Sequence, residues 1–110
     1  MERHILLVHS NPAPGQEDAY NSWYTDQHLA EVIDVPGFVA AHRLRMSPEL
    51  RYPDSKVHPY GYLAYYEIEG MTPREAWNSL EATKANRIIP ATMHPDRLSA
   101  IFTPIASLRR

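Results

Sequence analysis

Hydrophobic and polar residues in this chain switch between two periods, and the switches mark its elements. "RHILLVHS" is a short, nearly continuous apolar run closed by Asn11-Pro12 and Pro14-Gly15, which predicts a first strand covered on both faces. A helical period follows from about Gly15 to about Asp34, with Glu17 and Asp18 in the first turn, where they complement the macrodipole. Ala19, Tyr20, Trp23, Gln27 and Ala30 fall on one side at helical spacing. Val35-Pro36-Gly37 ends that helix, because the residue before a proline is pushed out of helical geometry.

A period of two returns in "FVAAHRLRMS", a second strand with Phe38, Ala40, His42 and Leu44 on one face and Val39, Ala41, Arg43 and Arg45 on the other. Pro48 to Pro59 reads as a loop. "YGYLAYYEIE" is a third strand, with Tyr60, Tyr62, Ala64, Tyr66 and Ile68 sharing a face. "TPREAWNSLEATKANR" predicts a second helix: Thr72 is the N-cap, Pro73 the first helical position, and Glu75 closes a capping box. Its inward stripe is Ala76, Trp77, Leu80 and Lys84, the lysine by its aliphatic stem. Ile89-Pro90 stops it, and "RLSAIFTPI" is the last strand.

The order strand–helix–strand–strand–helix–strand is the α+β, ferredoxin-like βαββαβ plan: a four-stranded antiparallel sheet with two helices on one face. The chain, 1–110, is expected to be one such domain, without internal repeats. Its strands carry Leu, Val, Ile, Tyr and Phe on both sides, and an apolar sheet face does not stay in water. That surplus predicts a homodimer in which two sheets close face to face, a dimeric α/β barrel.

Composition narrows the function. Eleven Lys plus Arg against thirteen Asp plus Glu argue against phosphate-driven nucleic-acid binding. There is no cysteine, so disulfides, thiolate catalysis and Cys-ligated zinc are excluded, and a reducing cytoplasmic setting fits. No window approaches the roughly 20 apolar residues of a membrane span. Seven tyrosines and six histidines exceed packing needs and suit the walls of a polar pocket. No His-x-His, His-x₃-His or H-E-x-x-H pattern supports a metal, and four glycines give no phosphate-binding loop.

"NPAPGQEDAYNSWYTDQHLAEVIDVPGFVAAHRL" resembles the first half of an EthD-like domain of the dimeric α/β-barrel superfamily. The matching positions are Trp23-Tyr24 in an aromatic-rich first helix, His28 near its end, the Pro36-Gly37 turn and Phe38. The superfamily includes cofactor-free monooxygenases, muconolactone-type isomerases, polyketide cyclases and dehydratases. The resemblance implies a pocket between the sheet and its helices, with the helix-borne histidine as acid/base. Haem-degrading relatives use an Asn–Trp–His set; Trp77 matches the tryptophan, but Arg87 stands where the histidine belongs.

Tyr24 and His28 are spaced i, i+4 and share a flank with Glu31, which places His28 at the border of the buried stripe. There it could take and return a proton near neutral pH, oriented by Tyr24 or Glu31. The competing reading is a half-buried histidine bonded to a backbone carbonyl. His42 is expected to share a wall with Tyr60, Tyr62 and Tyr66; the alternative is a cross-strand aromatic cluster. Arg43 could grip a carboxylate or pair with Glu67. His9 faces either the pocket or the sheet edge, His4 is expected exposed, and Trp23 and Trp77 are expected in the core.

The leading expectation is therefore a cofactor-independent acid/base enzyme, an isomerase, dehydratase or cyclase acting on a small oxygenated aromatic or lactone-like molecule. His28, Tyr24 and Tyr66 are its expected catalytic groups, the two phenols donating to a developing enolate. Trp23, Glu31, His42, Tyr62, His9 and Arg43 are the expected binding residues. A cofactor-free monooxygenase and a non-catalytic small-ligand binding dimer are the alternatives.

Overall fold

The computed structural model describes residues 2–49 and 58–110. The strand β1 (Arg3–Ser10) leads into one continuous helix of three segments: α1 (Glu17–Trp23), a π-helical turn (Tyr24–His28) and α2 (Leu29–Ile33). Then come β2 (Phe38–Arg45), β3 (Tyr62–Glu69), α3 (Pro73–Ala82) with a short 3₁₀ turn (Lys84–Asn86), and β4 (Leu98–Phe102). The strands form one antiparallel sheet in the order β2-β3-β1-β4, the predicted ferredoxin-like topology. Among the described residues no helix is long and apolar enough to cross a membrane. Part of the expected loop between Pro48 and Pro59, residues 50–57, lies outside the described residues.

Strand alternation fixes which side chains meet the helices. On β3, Tyr62, Ala64, Tyr66 and Ile68 are buried and every intervening residue is half-buried, as the period of two predicts. Their partners on β1 are Ser10, Val8, Leu6 and His4. His4 is thus not exposed as expected: it is buried on the helix side, bonded to Thr103 Oγ1 and to Glu2, each at 2.8 Å.

β2 departs from its predicted phase. A bulge between Phe38 and Ala40 sets Phe38 against Ile68 but Ala40 against Glu67. The extra residue inverts the alternation beyond it. Ala41 and Arg43 then join Phe38 on the helix side, opposite Tyr66 and Ala64, while Ala40, His42 and Leu44 turn to the outer face.

The helix also departs from a plain 3.6-residue repeat. Its buried residues are Tyr20, Tyr24, His28 and Val32, while Ala19, Gln27 and Ala30 are exposed. In a straight α-helix an i, i+4 series drifts about 40° per step, so four such residues would fan around the cylinder. The π turn holds an extra residue and turns the series back, keeping all four over the sheet. His28 therefore lies within the buried stripe rather than at its border.

α3 begins as predicted, with the reciprocal Thr72–Glu75 capping box and Pro73 in its first turn. It stops sooner than the sixteen-residue pattern implies. The Thr83 hydroxyl donates back to the Ser79 carbonyl at 2.7 Å, and Arg87 donates to the carbonyls of Leu80 and Thr83. Those bonds satisfy the open end of the helix. Of the predicted stripe Ala76 is buried and Leu80 half-buried, but Trp77 and Lys84 are exposed. Gly37, at φ +90°, makes the turn into β2; a Cβ there would run into the Met71 side chain.

The core is Leu6, Tyr20, Tyr24, Val32, Val35, Phe38, Tyr62, Ala64, Tyr66, Ile68, Ala76 and Met93. Among the described residues no helix covers the other face of the sheet. It presents Ile5, Leu7, Leu44, Leu63, Tyr65, Leu98 and Phe102, of which Leu44, Leu98 and Phe102 are about half exposed.

Candidate active site

A cavity of about 220 Å³ lies between the sheet and the helices. Leu6 and Val8 of β1, Tyr66 of β3 and Ser99 of β4 line it from the sheet; Tyr24, His28 and Val32 line it from the first helix. Trp77, Leu80, Glu81 and Lys84 supply the opposite wall, and Arg87, Ile89, Met93 and Arg97 the remainder. Its volume is below the roughly 300 Å³ at which drug-sized ligands begin, so it suits a compact ring system.

His28 is held on three sides. Trp23 stacks on its ring at 4.5 Å, Tyr24 meets it edge-on at 5.1 Å, and its Nδ1 lies 3.1 Å from Glu31 Oε1. Gln27 Nε2 donates to the other Glu31 oxygen at 3.1 Å. Burial raises the Glu31 carboxyl, but the bonds from Gln27 and His28 outweigh it and leave Glu31 below its ordinary value. Burial also lowers His28 below its ordinary 6.5, more strongly than the Glu31 bond and charge raise it; Arg87 and Arg97 lower it further. The pair at neutral pH is thus an ionised carboxylate accepting Nδ1–H from a neutral imidazole. Its Nε2 is the lone-pair nitrogen, and no described side chain occupies it.

Two phenols complete the polar wall. The Tyr66 hydroxyl donates to Tyr24 Oη at 3.4 Å. Burial pushes Tyr24 up to about 12 and Tyr66 higher still, so both stay protonated donors. Among the described residues no group of three or more His, Cys, Asp or Glu is placed to hold a metal ion.

The cavity thus gathers His28, Tyr24 and Tyr66, with Glu31 behind the imidazole. It does not gather the other expected binding residues. Trp23 packs against His28 without lining the cavity. His42, turned outward by the bulge, stacks on Tyr65 at 4.3 Å and meets Glu67 at 2.7 Å, away from Tyr62 and Tyr66. His9 also lies on the outer face, against His58 and Tyr60, because it pairs with Leu63 rather than with a helix-side residue.

Tyr62 points to the helix side, but its hydroxyl is taken by Glu17 at 2.7 Å and by Asn21 at 3.2 Å. Arg43 does not pair with Glu67, whose carboxylate meets His42. Arg43 donates to Thr25 and Asn21 and lies over the Tyr24 ring at 4.5 Å. Arg97, Ser99 and Leu80 were missed as lining residues, and Trp77 was assigned to the core. Arg97 was legible: the alternation of "RLSAIF" puts it on the face of Ser99 and Ile101.

No protein-family model matches this sequence, nor does any curated protein. Solved structures do. A variant of SnoaB, a cofactor-independent oxygenase from Streptomyces nogalater, matches with TM-score 0.62 and 17% identity over 100% of both chains. An ethyl tert-butyl ether D (EthD) family protein from Bacillus halodurans matches with TM-score 0.59 and 11% identity, over 96% of this chain and 100% of its own. A Streptomyces coelicolor monooxygenase in complex with nanaomycin D matches with TM-score 0.55 and 15% identity, over 99% and 92%. At these identities the likeness is one of fold, the ferredoxin-like βαββαβ plan.

Proposed function

We propose that this protein is a cofactor-independent enzyme that takes a proton from a small phenol or enolisable ring, with His28 as general base. The observation that carries it is the Glu31–His28 pair beside a ligand-sized cavity. The carboxylate fixes the Nδ1–H tautomer, which leaves the basic Nε2 for substrate, and burial keeps that nitrogen unprotonated near neutral pH. Tyr24, which accepts from Tyr66, has its own proton free to donate toward the oxygen on which charge develops.

Once deprotonated, the ring is an electron-rich enolate able to give electrons to dioxygen directly. Likeness to a cofactor-independent oxygenase and to a monooxygenase supports oxygenation over the isomerase, dehydratase or cyclase outcome. In those outcomes the proton on His28 would instead return to substrate. Two copies are proposed to pair through the outer sheet face: an isologous contact would cover Leu44, Leu98 and Phe102 on both.

The test is oxygen uptake with a dihydroxynaphthalene as probe. Oxygenation predicts oxygen consumption that the His28→Gln variant lacks. Turnover of the probe without oxygen uptake moves the assignment to the isomerase class, and no turnover across a panel of small phenols removes the reading.

A further inference from the structure

The cations around the cavity are not equivalent. Arg87 donates to the Leu80 carbonyl at 2.7 Å and to Thr83 Oγ1 at 2.8 Å, so it is committed to the end of α3. Lys84 lies 3.4 Å from Glu81, on the exposed side. Arg97, an exposed residue like Lys84, lines the cavity, yet among the described residues its side chain donates only to the Met93 sulfur, at 3.8 Å. A thioether is a weak acceptor, and no described carboxylate pairs with this guanidinium.

The two phenols cannot carry a full negative charge alone. The Tyr66 proton is directed to the Tyr24 oxygen, which leaves one phenolic donor free for a ligand. An oxyanion in a half-enclosed site is costly unless a charge pairs with it. A guanidinium is weakly hydrated, planar and able to give two parallel N–H bonds, which suits an anionic oxygen on a flat ring. Arg97, His28 and Tyr24 line the same cavity, so a ligand held there lies beside all three.

Resting on the reading of this cavity as a proton-abstraction site, we propose that Arg97 binds the substrate oxyanion, so that the cavity selects small phenols and enols as their anions. The substrate O–H or ring C–H bond breaks, its proton goes to His28 Nε2, and the electron pair remains on the ring oxygen against the Arg97 guanidinium.

Para-nitrophenol tests this in the full chain, because only its anion is coloured. Wild type is expected to bind the anion in preference to the neutral phenol and to raise the apparent acidity of the probe. Arg97→Met should lose about tenfold to a hundredfold of the anion affinity, the range of a charge-assisted hydrogen bond. Arg97→Lys should keep part of it, and serves alone if the methionine variant does not fold. Variants at Arg97 that bind the anion like wild type overturn the assignment while leaving His28 in place. A wild-type protein that binds neither form overturns it together with the proposed function.

Discussion

Nδ1 of His28 and Oε1 of Glu31 stand 3.1 Å apart, three residues along one helix. That single bond decides which imidazole nitrogen is available, and it depends on the π turn that brings His28 into the buried stripe. A histidine bonded to a carbonyl would orient equally well, but it would lack the charge that stabilises the imidazolium formed when a proton arrives.

Glu31→Gln keeps the shape and one acceptor but removes the charge. Turnover of the dihydroxynaphthalene probe should fall about tenfold or more, the worth of a charged hydrogen bond. The His28 ring should stay in place, checked by its NMR contacts to Trp23. A variant with unchanged rate means that Glu31 only packs.

The pH profile follows from the signs of the shifts. His28 lies below 6.5 in the folded protein, so the rate should fall with acid only below that value. Glu31 raises His28 and Arg97 lowers it. Glu31→Gln should therefore move the acid limb to lower pH and Arg97→Met to higher pH, as read from rate profiles and from NMR titration of the imidazole.

Stability depends on pH through the same residue. Unfolded, His28 takes its proton near 6.5; folded, it resists until lower pH. The contribution is complete above 6.5 and is lost as pH falls from there through the lowered folded value. The melting temperature should drop across that window, and less steeply in His28→Gln.

Tyr20 is fully buried and its hydroxyl meets Ser10 Oγ at 2.6 Å. Tyr20→Phe leaves the serine without that partner and should destabilise the fold by about 1–2 kcal/mol, measured by urea denaturation. A loss below measurement error would mean that Ser10 finds another partner.

Phe102→Glu and Leu98→Glu place charges on the outer sheet face, where both residues are about half exposed. Sedimentation velocity should show a dimeric wild type and monomeric variants. A wild type that sediments as a monomer rejects the sheet-pairing proposal.

Much of the fold could be read because long-period signals agree with local ones. The Thr72–Glu75 box, the Pro36-Gly37 stop and the alternation of β3 each specify an element without help from tertiary contacts. The site was half legible. Tyr24, His28 and Glu31 are near neighbours on one helix, so spacing alone brings them together, and Tyr66 follows from its strand face. The errors on β2 and the first helix come from single inserted residues. A bulge at Val39 moves His42 outward and Arg43 inward, and a π turn moves the buried stripe from Trp23 to Tyr24. Neither insertion changes the residue types, so no periodicity count detects it. Trp77 looked like core because its helical position is right; the space beside it is the cavity rather than packed side chains.

Hydrogen–deuterium exchange at the ring carbons of a dihydroxynaphthalene, followed by NMR without oxygen, isolates the proton step from everything after it. With wild type the exchange should be accelerated, and His28→Gln should lower that acceleration by about 10²–10⁴-fold, the usual contribution of a positioned base. Equal exchange with wild type and His28→Gln would contradict the assignment of the imidazole as the proton acceptor.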